Sequence, residues 1–126
     1  MHDPSLDRLL ILAGALLALL GVALGAFGAH GLRKRLGADM LAVLETGVRY
    51  QLMHALALLG AGAAGARLAP GPLQAAGWLF AVGVVVFSGS LYLLALGGPR
   101  RLGAVTPLGG MALIAGWACL AWSALA

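Results

Sequence analysis

The stretch LLILAGALLALLGVALGAFGA, Leu9 to Ala29, decides the fold. Its 21 residues carry no formally charged side chain. As a helix rising about 1.5 Å per residue they reach about 31 Å, against a hydrocarbon core of about 30 Å. Tyr50 to Ala66, Leu68 to Pro99 and Leu102 to Ala126 are likewise free of Asp, Glu, Lys and Arg. The reading is an all-α membrane protein: a four-transmembrane-helix bundle forming a single integral membrane domain over residues 1–126. Its spans are expected at about 9–29, 48–66, 73–96 and 105–123.

Composition agrees. Of 126 residues, 62% are hydrophobic and 10% charged, and mean hydropathy is +1.00; soluble domains carry about 25% charged residues. Four spans with short connections consume nearly the whole chain, which leaves no length for a soluble catalytic or ligand-binding domain. The net charge of +4 comes from residues scattered among loops, so no nucleic-acid partner is expected. Cys119 is the one thiol and forms no intrachain disulfide; it reads as a small apolar residue inside the last span. Arg8 precedes the first apolar run as in a signal peptide, but the run exceeds the usual 7 to 15 or so residues and three more follow, so it reads as a retained span.

The connections define direction. After span one, Leu32, Leu36, Met40, Val43 or Leu44, and Gly47 recur at three- to four-residue spacing, with Arg33, Lys34, Arg35 and Asp39 between them. This pattern predicts a short amphipathic interfacial helix between helices 1 and 2. Glu45 and Arg49 stand one turn apart in the favourable acidic-first order and are expected to stabilise the start of span two. Pro70, Gly71 and Pro72 make the second connection, and Gly97 to Gly103 the third. Pro107 is expected in the first turn of span four, with Thr106 helping to cap it. Trp78, Trp117 and Trp122 all fit the headgroup level of one leaflet. The first and third connections hold Arg33, Lys34, Arg35, Arg49, Arg100 and Arg101, whereas the other side holds Arg8 and Arg67. Six positive residues against two place those connections in the cytoplasm and both termini in the periplasm.

Small residues line every span: Gly14, Ala18, Gly21, Gly25 and Ala29 in the first, Ala57, Ala61 and Gly65 in the second, Gly77 and Ala81 in the third, Ala112 and Gly116 in the fourth. In lipid such strips let backbones approach closely. They serve either the bundle itself or contacts to a homo-oligomer or larger membrane protein complex; membrane lipid is the remaining partner.

The expected topology gathers polar residues at the end with the basic connections. His30 closes span one, Glu45, Arg49, Tyr50, Gln51 and His54 begin span two, Ser88, Ser90 and Tyr92 close span three, and Thr106 begins span four. The opposite half reads as mainly Gly, Ala, Leu and Val. Polar groups in hydrocarbon need partners, so this cluster is either a network that fixes helix register or a vestibule for a polar ligand, quinone head group or partner residue. His54 lies deepest and is the first functional candidate. Two histidines are too few for a metal, and Cys119 lies about 20 Å along the helix from Thr106; no metal or cofactor is expected. Motifs such as HExxH, GxSxG or a phosphate-binding glycine loop do not occur. Glu45 and His54 do not share a helical stripe, so no catalytic residues are assigned and the protein is expected not to be an enzyme.

The runs GAFGAHGL (Gly25 to Leu32), ETGVRYQLMHALALL (Glu45 to Leu59), FSGSLYLLAL (Phe87 to Leu96), TPLGG (Thr106 to Gly110) and GW at Gly116 and Trp117 resemble the YgdD-like family of small inner-membrane proteins, a domain of unknown function with a small mitochondrial transmembrane relative. The resemblance spans nearly the full chain. It implies the four-span fold and a bacterial cytoplasmic membrane setting, and it implies no reaction. Its motif residues include the ten polar positions from His30 to Thr106 named above. The resulting expectation is an accessory or structural component of a membrane assembly, with a small transporter or channel subunit working around His54 as the alternative.

Overall fold

The computed structural model describes residues 2–126, Ala29 by its backbone alone. Four helices follow one another: α1 (Pro4–Phe27), α2 (Ala38–Ala63), α3 (Pro70–Ala95) and α4 (Leu102–Leu125). Asp3 caps α1, its carboxylate accepting from the Ser5 amide at 2.9 Å, and Pro4 takes the first helical position, where no donor is needed. Pro70 opens α3 in the same way. Its preceding Ala69 amide donates to the Ser123 carbonyl at 2.8 Å, which ties the start of α3 to the end of α4. Gly97 takes φ 101° in the turn between α3 and α4, a backbone region open to glycine without strain.

Three helical segments are long and apolar enough to cross a membrane: Pro4–Leu32, Pro70–Ala95 and Leu102–Leu125. The 26 residues of α2 are long enough, but Arg49, Tyr50, Gln51 and His54 lower its apolar character. Leu19 is 65% exposed and Ile114 71%, which suits side chains facing acyl chains and would favour aggregation in water.

The expected interfacial helix is not a separate element. α1 continues through a wider π turn, Gly28–Leu32, and a tight turn over 33–36 leads to Gly37. Gly37 is extended (ψ 165°) and α2 starts directly after it. The later part of the apolar spacing read as an interfacial stripe is the packing face of α2 itself, with Leu44 and Gly47 buried, while Leu32 and Leu36 fall in the turns before it. Two further expectations change at α4. The helix begins at Leu102, three residues before the expected start, so Pro107 lies inside it and the Gly103 carbonyl lacks a helical donor. Thr106 does not cap; its hydroxyl lies back over its own helix, 3.2 Å from the Leu102 carbonyl.

The helices pack in chain order, α1 on α2, α2 on α3 and α3 on α4, and α1 reaches α3 lightly where Leu10 faces Gly77. Leu10, Leu58, Ala61, Leu73, Ala76, Phe80, Val84 and Leu113 form the core. Close approach comes from glycine. A Cβ on Gly14 would stand 2.7 Å from the Ala55 carbonyl oxygen, and one on Gly109 would press on the Phe87 backbone amide. The small-residue strips at Gly14, Gly21, Gly25, Gly77 and Gly116 thus meet helices of the same chain. Ala29, assigned to the first strip, lies outside the described side chains.

Gly109→Ala is expected to destabilise the bundle by about 1 to 3 kcal/mol because a backbone must move aside, whereas Gly60→Ala, with open space around it, should be neutral or slightly stabilising. Reversible unfolding in mixed micelles measures both.

Candidate functional site

Gln51 is the hinge of the polar site. It is buried at one turn's remove from Gly47, and Gly21 on α1 lies against its stem and against Leu52. That close approach lets the Gln51 amide nitrogen donate to the Leu17 carbonyl of α1 at 2.8 Å. The Tyr92 hydroxyl of α3 donates to the Gln51 amide oxygen at 2.6 Å. A carbonyl can only accept, so the amide orientation is fixed and one side chain joins three helices.

Gly47 makes the second crossing. A Cβ there would lie 2.6 Å from the Tyr92 ring, and without one Ser88 of α3 donates its hydroxyl proton to the Gly47 carbonyl at 2.7 Å. Ser90 and Thr106 share a hydrogen bond at 2.6 Å between α3 and α4. Each hydroxyl has one proton, so one donates across the helices and the other donates within its own helix, Ser90 to the Phe87 carbonyl at 2.8 Å or Thr106 to the Leu102 carbonyl at 3.2 Å.

His54 has 2% exposure. Its Nε2 lies 3.0 Å from the Trp117 indole nitrogen, and its Nδ1 lies 2.7 Å from the Tyr50 carbonyl. Indole N–H donates only, so Nε2 accepts; the ring proton therefore sits on Nδ1 and donates to Tyr50. Both nitrogens are engaged in the neutral form. Tyr50 stacks near His54 and packs on Phe87 at 4.5 Å between ring centroids, while Phe80 meets His54 and Trp117 at 5.4 and 5.0 Å.

Of the ten sequence-derived positions, Gln51, His54, Ser88, Ser90, Tyr92 and Thr106 join in side-chain hydrogen bonds across or along the helices, and Tyr50 contributes its carbonyl and ring. His30, Glu45 and Arg49 are exposed and stand apart. Glu45 and Arg49 do not pair: among the described residues the ion pair within 4 Å is His2 with Asp7, at 3.0 Å. Trp117 is the residue that sequence reasoning misplaced. It was expected in the headgroup belt, but its indole is spent on His54; Trp78 and Trp122 are 68% and 67% exposed. The site is also deeper than one leaflet's end, since Leu17 lies near the middle of the 9–29 run. At the opposite end, Asp7 presses its carboxylate on Gly65, and its Oδ1 is buried without a hydrogen bond in the structure. Gln74, exposed beside Trp78, belongs to that end as well.

Outside the spans, the Asp3 carboxyl is held below the usual carboxylate range by hydrogen bonds from the Ser5 hydroxyl and amide.

Gln51→Met is expected to cost about 1 to 4 kcal/mol, because two interhelical bonds are lost at roughly 0.6 to 2 kcal/mol each. Thr46→Val, which removes only a bond to Ala42 on the same helix, should cost far less. For His54, nitrogen-15 spectra should show the Nδ1-protonated neutral ring, with the Nε2 resonance moving in Trp117→Phe.

Comparison with known proteins places these features in a family. The profile described as "Protein of unknown function (DUF423)" matches residues 24–110, a stretch that holds all ten positions. The chain is 47% identical over 113 residues to the UPF0382 membrane protein SH2409 of Staphylococcus haemolyticus, covering 90% of this chain and 92% of that one. It is 47% identical over 111 residues to the UPF0382 membrane protein YwdK of Bacillus subtilis, covering 87% and 90%. The UPF0382 inner membrane protein YgdD of Escherichia coli K12 is 42% identical over 114 residues, covering 90% and 87%. No solved structure matches. With a helical architecture, spans of membrane length and this degree of identity along most of its length, the chain belongs to the DUF423 (UPF0382) family of membrane proteins.

Proposed function

We propose that this protein is a non-catalytic, four-span component of the bacterial inner membrane that supports or modulates a larger membrane assembly. The observation that carries the reading is that the polar interior of α2 bonds within the chain. Both ring nitrogens of His54 and both ends of the Gln51 amide are taken up by partners in the same chain. A network whose bonds tie α1, α2, α3 and α4 together fixes helix register, which suits a rigid part of an assembly.

α2 is the fourth span in this reading. It packs between α1 and α3, and its 26 residues extend about 39 Å. Its buried polar groups are internally satisfied, as hydrocarbon demands. The basic residues of the first and third connections then face the cytoplasm and both termini the periplasm; the name of the Escherichia coli relative, an inner membrane protein, supports the compartment. Because the glycine strips already meet helices of this chain, a partner would meet the leucine-rich outer flank of α1 or of α4.

Two measurements test this. In a Cys119→Ser background, Arg33→Cys should resist an impermeant maleimide in intact cells while Leu125→Cys reacts; the reverse pattern overturns the orientation. Purification in mild detergent should retain a stoichiometric partner. A homo-oligomer alone, with solute flux in proteoliposomes that is abolished by His54→Ala, replaces the proposal with transport.

A further inference from the structure

Beyond Asp39 in its first turn, the charged residues of α2 are Glu45 and Arg49, and the polar network leaves both out. They line one groove between α1 and α2, about 280 Å³ in volume, whose walls are Leu24, Leu44, Val48 and Leu52. The packing register fixes their depth. Gly25 faces Val48 and Gly28 faces Leu44, so Arg49 stands level with Gly25 and Glu45 level with Gly28, both within the apolar run that ends at Ala29. Arg49 is the deeper of the two by one helical turn, about 6 Å. A guanidinium and a carboxylate at this depth need partners, and among the described residues neither has an ion pair or a side-chain hydrogen bond to another residue.

We infer that the groove binds a single phospholipid with a phosphoethanolamine head group. The order of charges along α2 is what selects it. In such a lipid the phosphate lies next to the glycerol and the ammonium lies outward of it, toward water. Arg49, the deeper residue, meets the phosphate with a planar pair of donors suited to two oxygens. Glu45, the shallower, accepts from the ammonium. Leu52, one turn deeper than Val48, and Leu24 beside it continue inward along the path of one acyl chain. Choline carries no N–H and leaves Glu45 without a donor. A phosphoglycerol head group satisfies Arg49 but brings a net negative charge beside Glu45. The inference rests on α2 crossing the bilayer, which the maleimide labelling tests separately.

The experiment is native mass spectrometry of the full chain, delipidated in detergent and titrated with phosphatidylethanolamine, phosphatidylglycerol or phosphatidylcholine of matched acyl chains. The wild-type chain should retain one phosphatidylethanolamine about fivefold or more in preference to either other lipid, the scale of one interfacial charge contact. Arg49→Gln should lose that retention. Glu45→Gln should keep phosphate binding but bind phosphatidylethanolamine and phosphatidylglycerol alike. Exchanging the charges, Glu45→Arg with Arg49→Glu, preserves net charge and surface exposure and should abolish the preference; circular dichroism confirms that each variant remains helical. Equal retention of the three lipids, a preference for phosphatidylglycerol, or a preference unchanged by the exchange overturns the inference.

Discussion

Interhelical hydrogen bonding in this protein depends on how closely two backbones can lie. Between lipid-embedded helices there is no gain from hiding apolar surface, since acyl chains are as apolar as leucine. What remains is contact and polar bonding, and both need short reach. Gly21 lets α2 come near enough for Gln51 to find the Leu17 carbonyl, and Gly47 lets α3 come near enough for Ser88 to find the Gly47 carbonyl. Removing the side chain at one position thus creates the bond at the next.

This explains a division along the bundle. Toward the termini, Leu10, Leu58, Phe80 and Leu113 fill the space between helices with apolar contact. Toward the basic connections the same helices are held by Gln51, Ser88, Ser90, Tyr92 and Thr106. His54 and Trp117 stand where the two regions meet, the imidazole packed on Phe80 and bonded to the indole.

Much of this was legible in the residues. Uncharged run lengths give the helices, and the polar positions on α2 and α3 follow from helical spacing. Glycine strips mark the close faces without saying whose backbone they meet. Three things escaped. Amphipathic spacing after Leu32 has the same period whether the face meets headgroups or another helix, so the start of α2 looked like a surface helix. Trp117 has the chemistry of a belt residue, and only the folded arrangement, in which its long side chain reaches α2, assigns its N–H to His54. Asp7 carries no motif or spacing that marks it in the sequence, and the fold buries one of its oxygens against Gly65.

The order of packing along the chain bears on assembly. With α2 as the proposed fourth span, α1 with α2, and α3 with α4, are glycine-fitted neighbours joined by short connections, and each pair is a hairpin able to enter the bilayer as a unit. The bonds from Ser88, Tyr92 and Trp117 all cross the seam between these hairpins. Until that seam closes, Gln51 and His54 are exposed to acyl chains or to water drawn in beside them. The newly inserted hairpins therefore carry their own incentive to dock, and the young protein matures by extinguishing it.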